Sequence, residues 1–436
     1  MGQLRFGTDG VRGRALTELT TDYVASLGRA AAEVMGSGDW LIGRDTRESG
    51  PILQQALMNG LAAGGAVSLQ AGVLPTPALA HLSARHRVPA AMITASHNPW
   101  QDNGVKIFAS GGLKLPDETE RAIEASMHAD VDASAQTKLA DSIAAATYVD
   151  HVVDTIGSQG LRGMRVVVDC ANGAMFEAAP EVIRRLGADI VVINAEPNGR
   201  NINDHCGATN PAALSGAVVA NEADLGLAFD GDGDRIIAVD HLGNVVDGDR
   251  MIALGALQLR DEGRLTDDTV VVTVMSNLGF HKAMAAAGIK VITTAVGDRS
   301  VLEALDAGAF ALGGEQSGHI VYRHLATTGD GLLAGLRLAA YVLDRGQSLH
   351  DLAAAVMTSY PQVLVNVKVA HRHPDVDVEL ATEIAAALEA LQGEGRILVR
   401  PSGTEPLIRV MVEAANQPLA QATADGLARL VLARFG

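Results

Sequence analysis

The chain has 436 residues, of which 48% are hydrophobic and 19% charged, and its formal net charge at pH 7 is −17. That length exceeds one ordinary hydrophobic core and predicts three or four domains of a globular protein. A strongly acidic chain lacks the basic face that nucleic acids and anionic membranes require, so we expect neither as a partner.

Two features of the sequence predict a cytoplasmic protein. The segment from Met1 to Phe6 has no apolar signal region, and no uncharged apolar run reaches the roughly 18 residues that a membrane span needs. Cys170 and Cys206 show neither metal-ligand spacing nor a disulfide framework, which fits a reducing compartment.

Short apolar runs alternate with helical stretches along most of the chain, which is typical of α/β architecture with largely parallel strands. Three of these runs, beginning at Trp40, Met164 and Thr269, end in a polar loop that precedes a helix. The repetition predicts three similar mixed α/β domains. Their predicted limits are residues 1–149, 150–249 and 250–362.

The last part of the chain has a different pattern. Val363 to Val369 alternates like a half-exposed strand, and a helix is predicted from about Val376 to Leu391. Two further strands, Arg396 to Val399 and Leu407 to Glu413, precede a final helix. This order predicts a small C-terminal α+β domain over residues 363–436.

A first candidate loop surrounds Ser96. The apolar strand Ala90 to Ile93 leads into Thr94 to Pro99, and the loop continues to Lys106. Because α/β folds place functional groups at the carboxyl ends of strands, the Ser96 hydroxyl is a candidate nucleophile. The alternative is a polar turn with an ordinary serine. Near the amino terminus, Arg12 lies between glycines, where it could reach a phosphate or be a surface residue.

A second candidate loop carries three aspartates at alternate positions. Asp230, Asp232 and Asp234 are separated by glycines and could bend around one hard cation. A calcium EF-hand is excluded, because Arg235 and His241 stand at the sixth and twelfth positions, where Gly and Glu are required. A solvated acidic turn remains the alternative, although three neighbouring carboxylates after a buried strand repel one another unless a metal compensates.

A third candidate loop runs from Gly313 to His319. Glu315 and Ser317 could hydrogen-bond vicinal sugar hydroxyls, and His319 is of a residue type that titrates near neutrality. A structural loop with a surface histidine would show the same residues, and this pattern does not separate the two.

A fourth candidate loop runs from Arg400 to Pro406, with Arg409 beyond it. A guanidinium group, two hydroxyls and backbone N–H groups around a glycine could form a phosphate cradle. The chain contains no Gly-Lys pair and no Gly-x-Gly-x-x-Gly fingerprint, which disfavours a nucleotide-hydrolysing P-loop and a dinucleotide site.

Together and in this order, the four loops resemble those of the α-D-phosphohexomutase superfamily, over essentially the whole chain. Within the superfamily the chain looks most like the bacterial glucosamine type. The stretches that carry this closer resemblance are Asn201–Asn203, Gly314–Gly318, Thr327–Gly331 and Arg400–Val410. Two positions depart from the family pattern: Ala295 stands where the family usually has Lys or another polar residue, and Ser300 where it usually has Tyr.

The resemblance implies roles for particular residues. Ser96 would be a phosphoserine and, with Asp230, Asp232 and Asp234, would bind one Mg²⁺ ion. The other residues that it implies for catalysis are Arg12, Lys106 and His319, the last two as unranked candidates for proton transfer. The residues that it implies for substrate binding are Arg235, Gly297, Asp298, Glu315, Ser317, Arg400, Ser402, Gly403, Thr404 and Arg409.

The same resemblance implies an isomerase with its four domains arranged around a central cleft. The enzyme would interconvert glucosamine 6-phosphate and glucosamine 1-phosphate through a bound glucosamine 1,6-bisphosphate, feeding amino-sugar nucleotide and cell-wall precursor synthesis. A small phosphosugar would be its partner, and a homodimer is compatible with the family. The alternatives are a mutase for glucose or mannose phosphates, a non-catalytic phosphosugar-binding protein and a metal-dependent phosphatase.

Overall fold

The computed structural model consists of two compact units. Its described residues are 4–7, 9–127, 146–157, 160–402 and 406–436. The first unit comprises Met1–Met275 and Ile289–Ala355, and the second comprises Ser276–Gly288 and Val356–Gly436. No helix among the described residues combines the length and the apolar character needed to cross a membrane.

The first sheet of the first unit is mixed. Its strands are β1 (Val11–Arg14), β2 (Asp39–Arg44), β3 (Val67–Val73), β4 (Ala90–Ile93), β5 (Asp102–Ala109) and β6 (Leu113–Lys114), in the order β1-β5-β4-β2-β3 with β6 beside β5. The helices of this stretch are α1 (Thr21–Met35), α2 (Gly50–Ala63), α3 (Thr76–His86) and α4 (Asp117–Ser126). β2 is parallel to β3 and β4, whereas β5 is antiparallel to β4 and β1.

Small residues let α1 and α2 pack closely. A Cβ atom at Gly60 would lie 1.9 Å from the carbonyl oxygen of Ala25, so only glycine fits there without moving the backbone. Trp40 on β2 is fully buried in the same core, where its indole Nε1 donates to Gly36 O at 3.1 Å. This packing fixes β2 and β4, the two parallel strands that lead into the candidate site.

The second sheet is built on the same plan. Its strands are β7 (Arg165–Asp169), β8 (Asp189–Ile193), β9 (Leu225–Phe229), β10 (Ile236–Asp240) and β11 (Val245–Val246), in the order β11-β10-β9-β7-β8. Its helices are α5 (Ala146–Ile156), α6 (Ala178–Arg185) and α7 (Ala212–Ala220). β7 is parallel to β8 and β9, and every residue of β9 is buried. The loop that carries the three aspartates, residues 230–235, follows β9 directly and is called the acidic loop below.

The third sheet has the order β13-β12-β14-β15. Its strands are β12 (Thr269–Thr273), β13 (Lys290–Thr294), β14 (Leu312–Gly314) and β15 (Ile320–Tyr322). The helices along this stretch are α8 (Gly248–Asp261), α9 (Leu278–Ala286), α10 (Asp298–Gly308), α11 (Gly331–Arg345) and α12 (Leu349–Val356). The described residues therefore contain three mixed sheets with helices, as the sequence predicts. The limits at residues 149, 249 and 362 stay predictions.

The second unit contains an antiparallel sheet and helices, which confirms the predicted C-terminal α+β domain. Its strands are β16 (Gln362–Lys368), β17 (Gly395–Pro401) and β18 (Leu407–Ala414), in the order β16-β18-β17. Its remaining helices are α13 (Val376–Glu379), α14 (Ala381–Ala390) and α15 (Gln417–Phe435). The helix predicted from Val376 to Leu391 is thus two helices, because Leu380 leaves helical geometry at φ −109° and ψ 14°.

One buried carboxylate explains why α9 belongs to the second unit. Glu413 on β18 is fully buried and accepts hydrogen bonds from the Leu278 backbone N–H at 2.9 Å and from Asn277 Nδ2 at 3.3 Å. Arg396 Nε donates to the same carboxylate at 3.0 Å. A buried carboxylate that is paired and hydrogen-bonded in this way holds the start of α9 against the small sheet.

Candidate active site

Ser96 lies in the loop after β4, with only 1% of its surface exposed. Its φ angle of +52° is in the left-handed region, which is uncommon for a residue other than glycine. Ser96 Oγ lies 2.5 Å from Asp230 Oδ2 and 3.2 Å from His97 Nδ1. The strained backbone therefore points the hydroxyl at the acidic loop of the second sheet, 134 residues away in sequence.

The acidic loop gathers its three carboxylates in a buried cluster. One oxygen from each of Asp230, Asp232 and Asp234 lies within 4.8 Å of the others. The backbone N–H groups of Gly233 and Arg235 donate to Asp230 Oδ1 at 3.1 and 3.2 Å. Both glycines are needed: Gly233 has a φ angle of +75°, and a Cβ atom at Gly231 would lie 2.6 Å from Ser96 O. The prediction that the three aspartates face one point is consistent with this geometry.

The cluster fits a metal ion. Asp232 Oδ1 and Asp234 Oδ1 are buried and accept no hydrogen bond from the described residues. Burial raises the pKa of Asp230 to about 8, and the neighbouring charges of Asp232 and Asp234 act in the same direction. Buried carboxylate oxygens without a donor destabilise a protein unless a cation binds them, and oxygen ligands favour a hard divalent cation.

Lys106 on β5 supplies a positive charge to this cluster. Its Nζ lies 2.8 Å from an oxygen of each of Asp9, Asp232 and Asp234. Burial opposes the charged form of Lys106, but Asp232, Asp234 and Asp9 outweigh it and raise the pKa of the ammonium well above its usual range. Thr76 Oγ1 donates to Asp232 Oδ2 at 2.7 Å. Lys106 is therefore a cation held among carboxylates.

Two arginines at the cluster keep an N–H group without a partner. Arg12, on β1, pairs with Asp9 through Nη2, whereas its buried Nε donates to no described residue. Arg235 Nε is also buried without a hydrogen-bond partner among the described residues and lies 4.0 Å from Asp234 Oδ1. Burial, together with the charges of Arg235 and Arg12, lowers the pKa of His97 to about 4. The two guanidinium groups are thus able to bind an anion beside Ser96.

The third loop, Gly313 to His319, also lies beside the acidic loop. His319 Nδ1 lies 3.7 Å from Asp234 Oδ1, and the Gly329 backbone N–H donates to His319 Nε2 at 3.2 Å. Glu315 is 9% exposed, and its Oε1 accepts the Gly297 backbone N–H at 3.1 Å. The structure therefore brings Glu315, Gly297 and His319 together on one side of the acidic loop.

Two further residues, Asp298 and Ser317, are predicted to bind the substrate and lie next to Gly297 and Glu315 in sequence. Asp298 begins α10 and forms an ion pair with Lys114 of β6, which joins the first and third sheets. Ser317 is exposed in the turn between β14 and β15.

The fourth loop lies in the second unit and collects two cations. Arg400 on β17 is paired directly with Arg409 on β18, and Arg409 Nε is buried without a hydrogen-bond partner among the described residues. Burial lowers the pKa of Arg400, and the charge of Arg409 lowers it further. Ser402 is 4% exposed. Gly403 and Thr404 lie outside the described residues. Like charges placed opposite each other are unfavourable unless an anion binds between them.

The sequence interpretation missed two residues at the cluster. Asp9 stands three positions before Arg12 in the same glycine-rich segment. That segment could have marked Asp9 as a candidate together with Arg12. Its carboxylate contacts Lys106, Lys114 and Arg12. Thr76 begins α3 after a proline, and nothing in that local pattern indicates its contact with Asp232, which is 156 residues away.

Comparison with known proteins gives a family for the chain. Models of the phosphoglucomutase/phosphomannomutase family match in all four parts. The alpha/beta/alpha domains I, II and III match residues 3–133, 146–243 and 247–360, and the C-terminal domain matches residues 364–430. A phosphoglucosamine mutase from Saccharopolyspora erythraea is 51% identical over 440 residues, which cover 98% of this chain and 99% of that protein.

Solved structures share the fold. A putative phosphomannomutase from Thermus thermophilus has a TM-score of 0.82 at 24% identity, with 99% of both chains covered. The N-acetylphosphoglucosamine mutase of Aspergillus fumigatus, solved in complex with GlcNAc-6P and magnesium, has a TM-score of 0.72 at 21% identity and covers 100% of this chain and 96% of its own. From the four matched domains and the close full-length relative, the chain belongs to the α-D-phosphohexomutase superfamily and, within it, to the bacterial phosphoglucosamine mutase family.

Proposed function

We propose that this chain interconverts glucosamine 6-phosphate and glucosamine 1-phosphate through a phosphorylated Ser96. The observation that carries the proposal is the position of Ser96 Oγ, 2.5 Å from Asp230 in a buried cluster of three aspartates. Lys106, Arg12 and Arg235 surround the same point with positive charge. The isotope experiment at the end of the Discussion tests this proposal directly.

The reaction requires two phosphoryl transfers, because O6 and O1 lie at opposite ends of the sugar. In the first transfer the bond between Ser96 Oγ and phosphorus breaks while the bond from phosphorus to O1 forms. The O1 proton passes to Ser96 Oγ, and the product is a bound 1,6-bisphosphate. The intermediate turns over. In the second transfer the bond between O6 and phosphorus breaks while the bond from phosphorus to Ser96 Oγ forms. The Ser96 proton passes to O6, and the product is the 1-phosphate. Catalysis of such transfers depends mainly on alignment and on neutralising charge.

The charges of the site explain why a divalent cation is part of the proposal. A phosphoserine carries roughly two negative charges, and Asp230, Asp232 and Asp234 bring three more. Lys106, Arg12 and Arg235 balance three of these. The remaining deficit is about two charges, which matches Mg²⁺.

Phospho-Ser96 and the three aspartates would hold that ion, which would stabilise charge on the transferring phosphoryl group. The similar A. fumigatus enzyme was solved with magnesium, which supports this choice of metal.

The two candidates for proton transfer differ in their surroundings. Lys106 stays protonated among three carboxylates, so it can donate to a phosphoryl or hydroxyl oxygen but cannot readily accept a proton. His319 Nε2 already accepts the Gly329 N–H. We therefore assign to Lys106 the role of stabilising charge by donating hydrogen bonds, and to His319 a sugar-positioning role. The free, buried Cys170 and Cys206 fit the cytoplasmic location that we include in the proposal.

We expect a preference for glucosamine 6-phosphate over glucose 6-phosphate. The buried Glu315 is placed by its bond from Gly297 and could pair with a protonated 2-amino group. A charge-assisted hydrogen bond contributes about 1.5–3 kcal/mol, which is roughly a ten- to hundredfold difference in kcat/KM. Parallel assays of glucosamine, glucose and mannose 6-phosphates would measure it.

The matched variant for that assay is Glu315→Gln, which keeps the shape of the side chain and removes its charge. The variant should lose most of the preference while retaining glucose 6-phosphate turnover. Equal kcat/KM values of the unmodified enzyme for the two sugars would contradict the assignment of Glu315.

We expect the fourth loop to hold the phosphate that is not being transferred. Replacing Arg400 and Ser402 together by Ala should lower kcat/KM, because two contacts to a dianion are lost. The loss of transition-state stabilisation should be about 3–5 kcal/mol. Part of the loss should appear in kcat, since the remote phosphate also positions the reacting end. Kinetics with the sugar monophosphate, alongside phosphopeptide mapping of Ser96, would measure the effect.

The double variant should remain folded, bind Mg²⁺ and keep phosphorylated Ser96, because Arg400 and Ser402 belong to a separate compact unit. Arg434→Ala, at an exposed ion pair of the same unit, is the control and should leave kinetics unchanged. Near-normal kcat/KM in the double variant would show that the cradle assignment is wrong.

A further inference from the structure

Arg47 makes an unusual set of contacts with the loop that carries Ser96. Its side chain is fully buried. Nη2 donates to the carbonyl oxygens of Ser96 at 2.7 Å and Asn98 at 2.9 Å, and Nη1 donates to those of Pro99 at 2.5 Å and Asp102 at 3.0 Å. One guanidinium group therefore binds four carbonyl oxygens within the seven residues from Ser96 to Asp102, the loop after β4 and the first residue of β5.

The fifth N–H of Arg47 connects the same loop to Asp45, the residue directly after β2. Its Nε donates to Asp45 Oδ2 at 2.8 Å, and its backbone N–H donates to Asp45 Oδ1 at 3.0 Å. Thr94 Oγ1 donates to Asp45 Oδ2 at 2.7 Å and accepts the Ser96 backbone N–H at 2.9 Å. The backbone of Ser96 is thus held at its N–H through Asp45 and Thr94, and at its carbonyl by Arg47.

A second donor reaches the Ser96 loop from the segment between β8 and α7. Asn203 Nδ2 donates to the carbonyl oxygens of Ser96 at 2.9 Å and Asn98 at 3.1 Å, the two carbonyls that Arg47 Nη2 also contacts. A Cβ atom at Gly231, in the acidic loop, would lie 2.6 Å from Ser96 O and 2.8 Å from Asn203 Nδ2. The acidic loop and the Ser96 loop therefore lie against each other where Asn203 donates its hydrogen bonds.

The conformation of the Ser96 loop depends on these contacts from other segments. Ser96 has a left-handed backbone at φ +52°, a conformation that persists only when its surroundings enforce it. Four carbonyls that turn toward the buried Arg47 would lose this donor if its guanidinium were absent. Lysine offers three donors on one atom and cannot reproduce the planar fork.

We propose that Arg47, fixed by Asp45 and assisted by Asn203, is a positioning residue that sets the geometry of the Ser96 loop for phosphoryl transfer. It acts through the loop's carbonyl oxygens and not on the substrate. This inference rests on the proposed function, because it assigns a purpose to the position of Ser96 Oγ. Ser96→Ala tests that function separately, so the two can fail independently.

The first test compares Arg47→Lys with Arg337→Lys. Lysine keeps a positive charge beside Asp45, so the buried carboxylate is not left alone. Arg337 is the matched control: it is 8% exposed, pairs with Glu262 at 2.7 Å and lies on α11, outside the site. Purified enzymes would be compared by thermal unfolding, by Mg²⁺ titration and by the rate at which glucose 1,6-bisphosphate phosphorylates Ser96, followed by intact mass.

Arg47→Lys should lower kcat and the Ser96 phosphorylation rate by the same factor of about 10²-fold, the effect of misplacing a reacting group by about 1 Å. KM should stay within about threefold, because the substrate's phosphate contacts are untouched. The Mg²⁺ affinity of the unphosphorylated enzyme should also stay within about threefold, because Asp230, Asp232 and Asp234 keep their positions. Arg337→Lys should leave all of these kinetic values unchanged. A folded Arg47→Lys variant with normal kcat would overturn the proposal, as would a loss confined to KM.

Asn203→Ala tests the proposal if Arg47→Lys does not fold. It removes the second donor to the same two carbonyls from a partly buried side chain, and we expect kcat to fall about tenfold with KM unchanged. Unchanged kcat in that variant would overturn the proposal. If Ser96→Ala were fully active, the proposed function itself would fail, whatever the result at Arg47.

Discussion

Ser96→Ala should lower kcat by at least ~10³-fold, because a covalent transfer has no substitute for its nucleophile. The loss should be large, since both transfers pass through the same oxygen. Ser96 Oγ is the hydroxyl that lies 2.5 Å from Asp230 in the buried cluster. Initial rates with glucosamine 6-phosphate would give the value, and intact mass should show that the variant carries no phosphoryl group.

Ser68→Ala is a matched control for this experiment. Ser68 lies on β3, is 1% exposed, and its Oγ has no hydrogen-bond partner among the described residues. Its removal should change neither activity nor phosphorylation. A Ser96→Ala enzyme that turned over at the normal rate would exclude the phosphoserine mechanism.

Chelation should abolish turnover, and Mg²⁺ should restore it. Without the ion, Asp230, Asp232 and Asp234 would repel a phosphoryl group on Ser96, whereas a bound cation contributes several kcal/mol of charge stabilisation. Asp232→Asn should therefore weaken Mg²⁺ binding and lower kcat/KM by about 10²-fold or more. Calorimetric titration of Mg²⁺ gives a measurement that is independent of activity.

Asp189→Asn serves as the control in the same domain. The Asp189 side chain is 61% exposed and pairs with Arg165 on the surface, so its loss should leave metal binding and rate unchanged. The acidic loop would not be the metal site if Asp232→Asn kept the metal affinity and rate of the unmodified enzyme.

The residues that could be predicted from the sequence are those whose chemistry shows in a short pattern. Alternating Asp and Gly after an apolar strand indicates a carboxylate cluster, and Asp230, Asp232 and Asp234 do converge in the structure. The opposed Arg400 and Arg409 likewise lie in one recognisable loop and the strand after it. The α/β repeats were readable for the same reason, because strands and helices have local periodicities.

The residues that were missed act through contacts between distant segments. Thr76 reaches Asp232 across 156 residues, and Asn203 reaches Ser96 across 107. Arg47 follows a predicted strand but looks like any loop arginine until its four carbonyl partners are known. Backbone carbonyls carry no side-chain signature, so sequence patterns cannot reveal which side chain binds them.

The most direct measurement of the central claim follows an isotope from Ser96 to the sugar. Enzyme labelled with ³²P on Ser96 would be mixed with excess unlabelled glucosamine 6-phosphate, and the protein and sugar phosphates would be separated. The account predicts that the label leaves the protein and appears in glucosamine 1-phosphate, while Ser96 stays phosphorylated by the unlabelled 6-phosphoryl group. Label that remained on Ser96 while product accumulated, or that appeared as free phosphate, would contradict it.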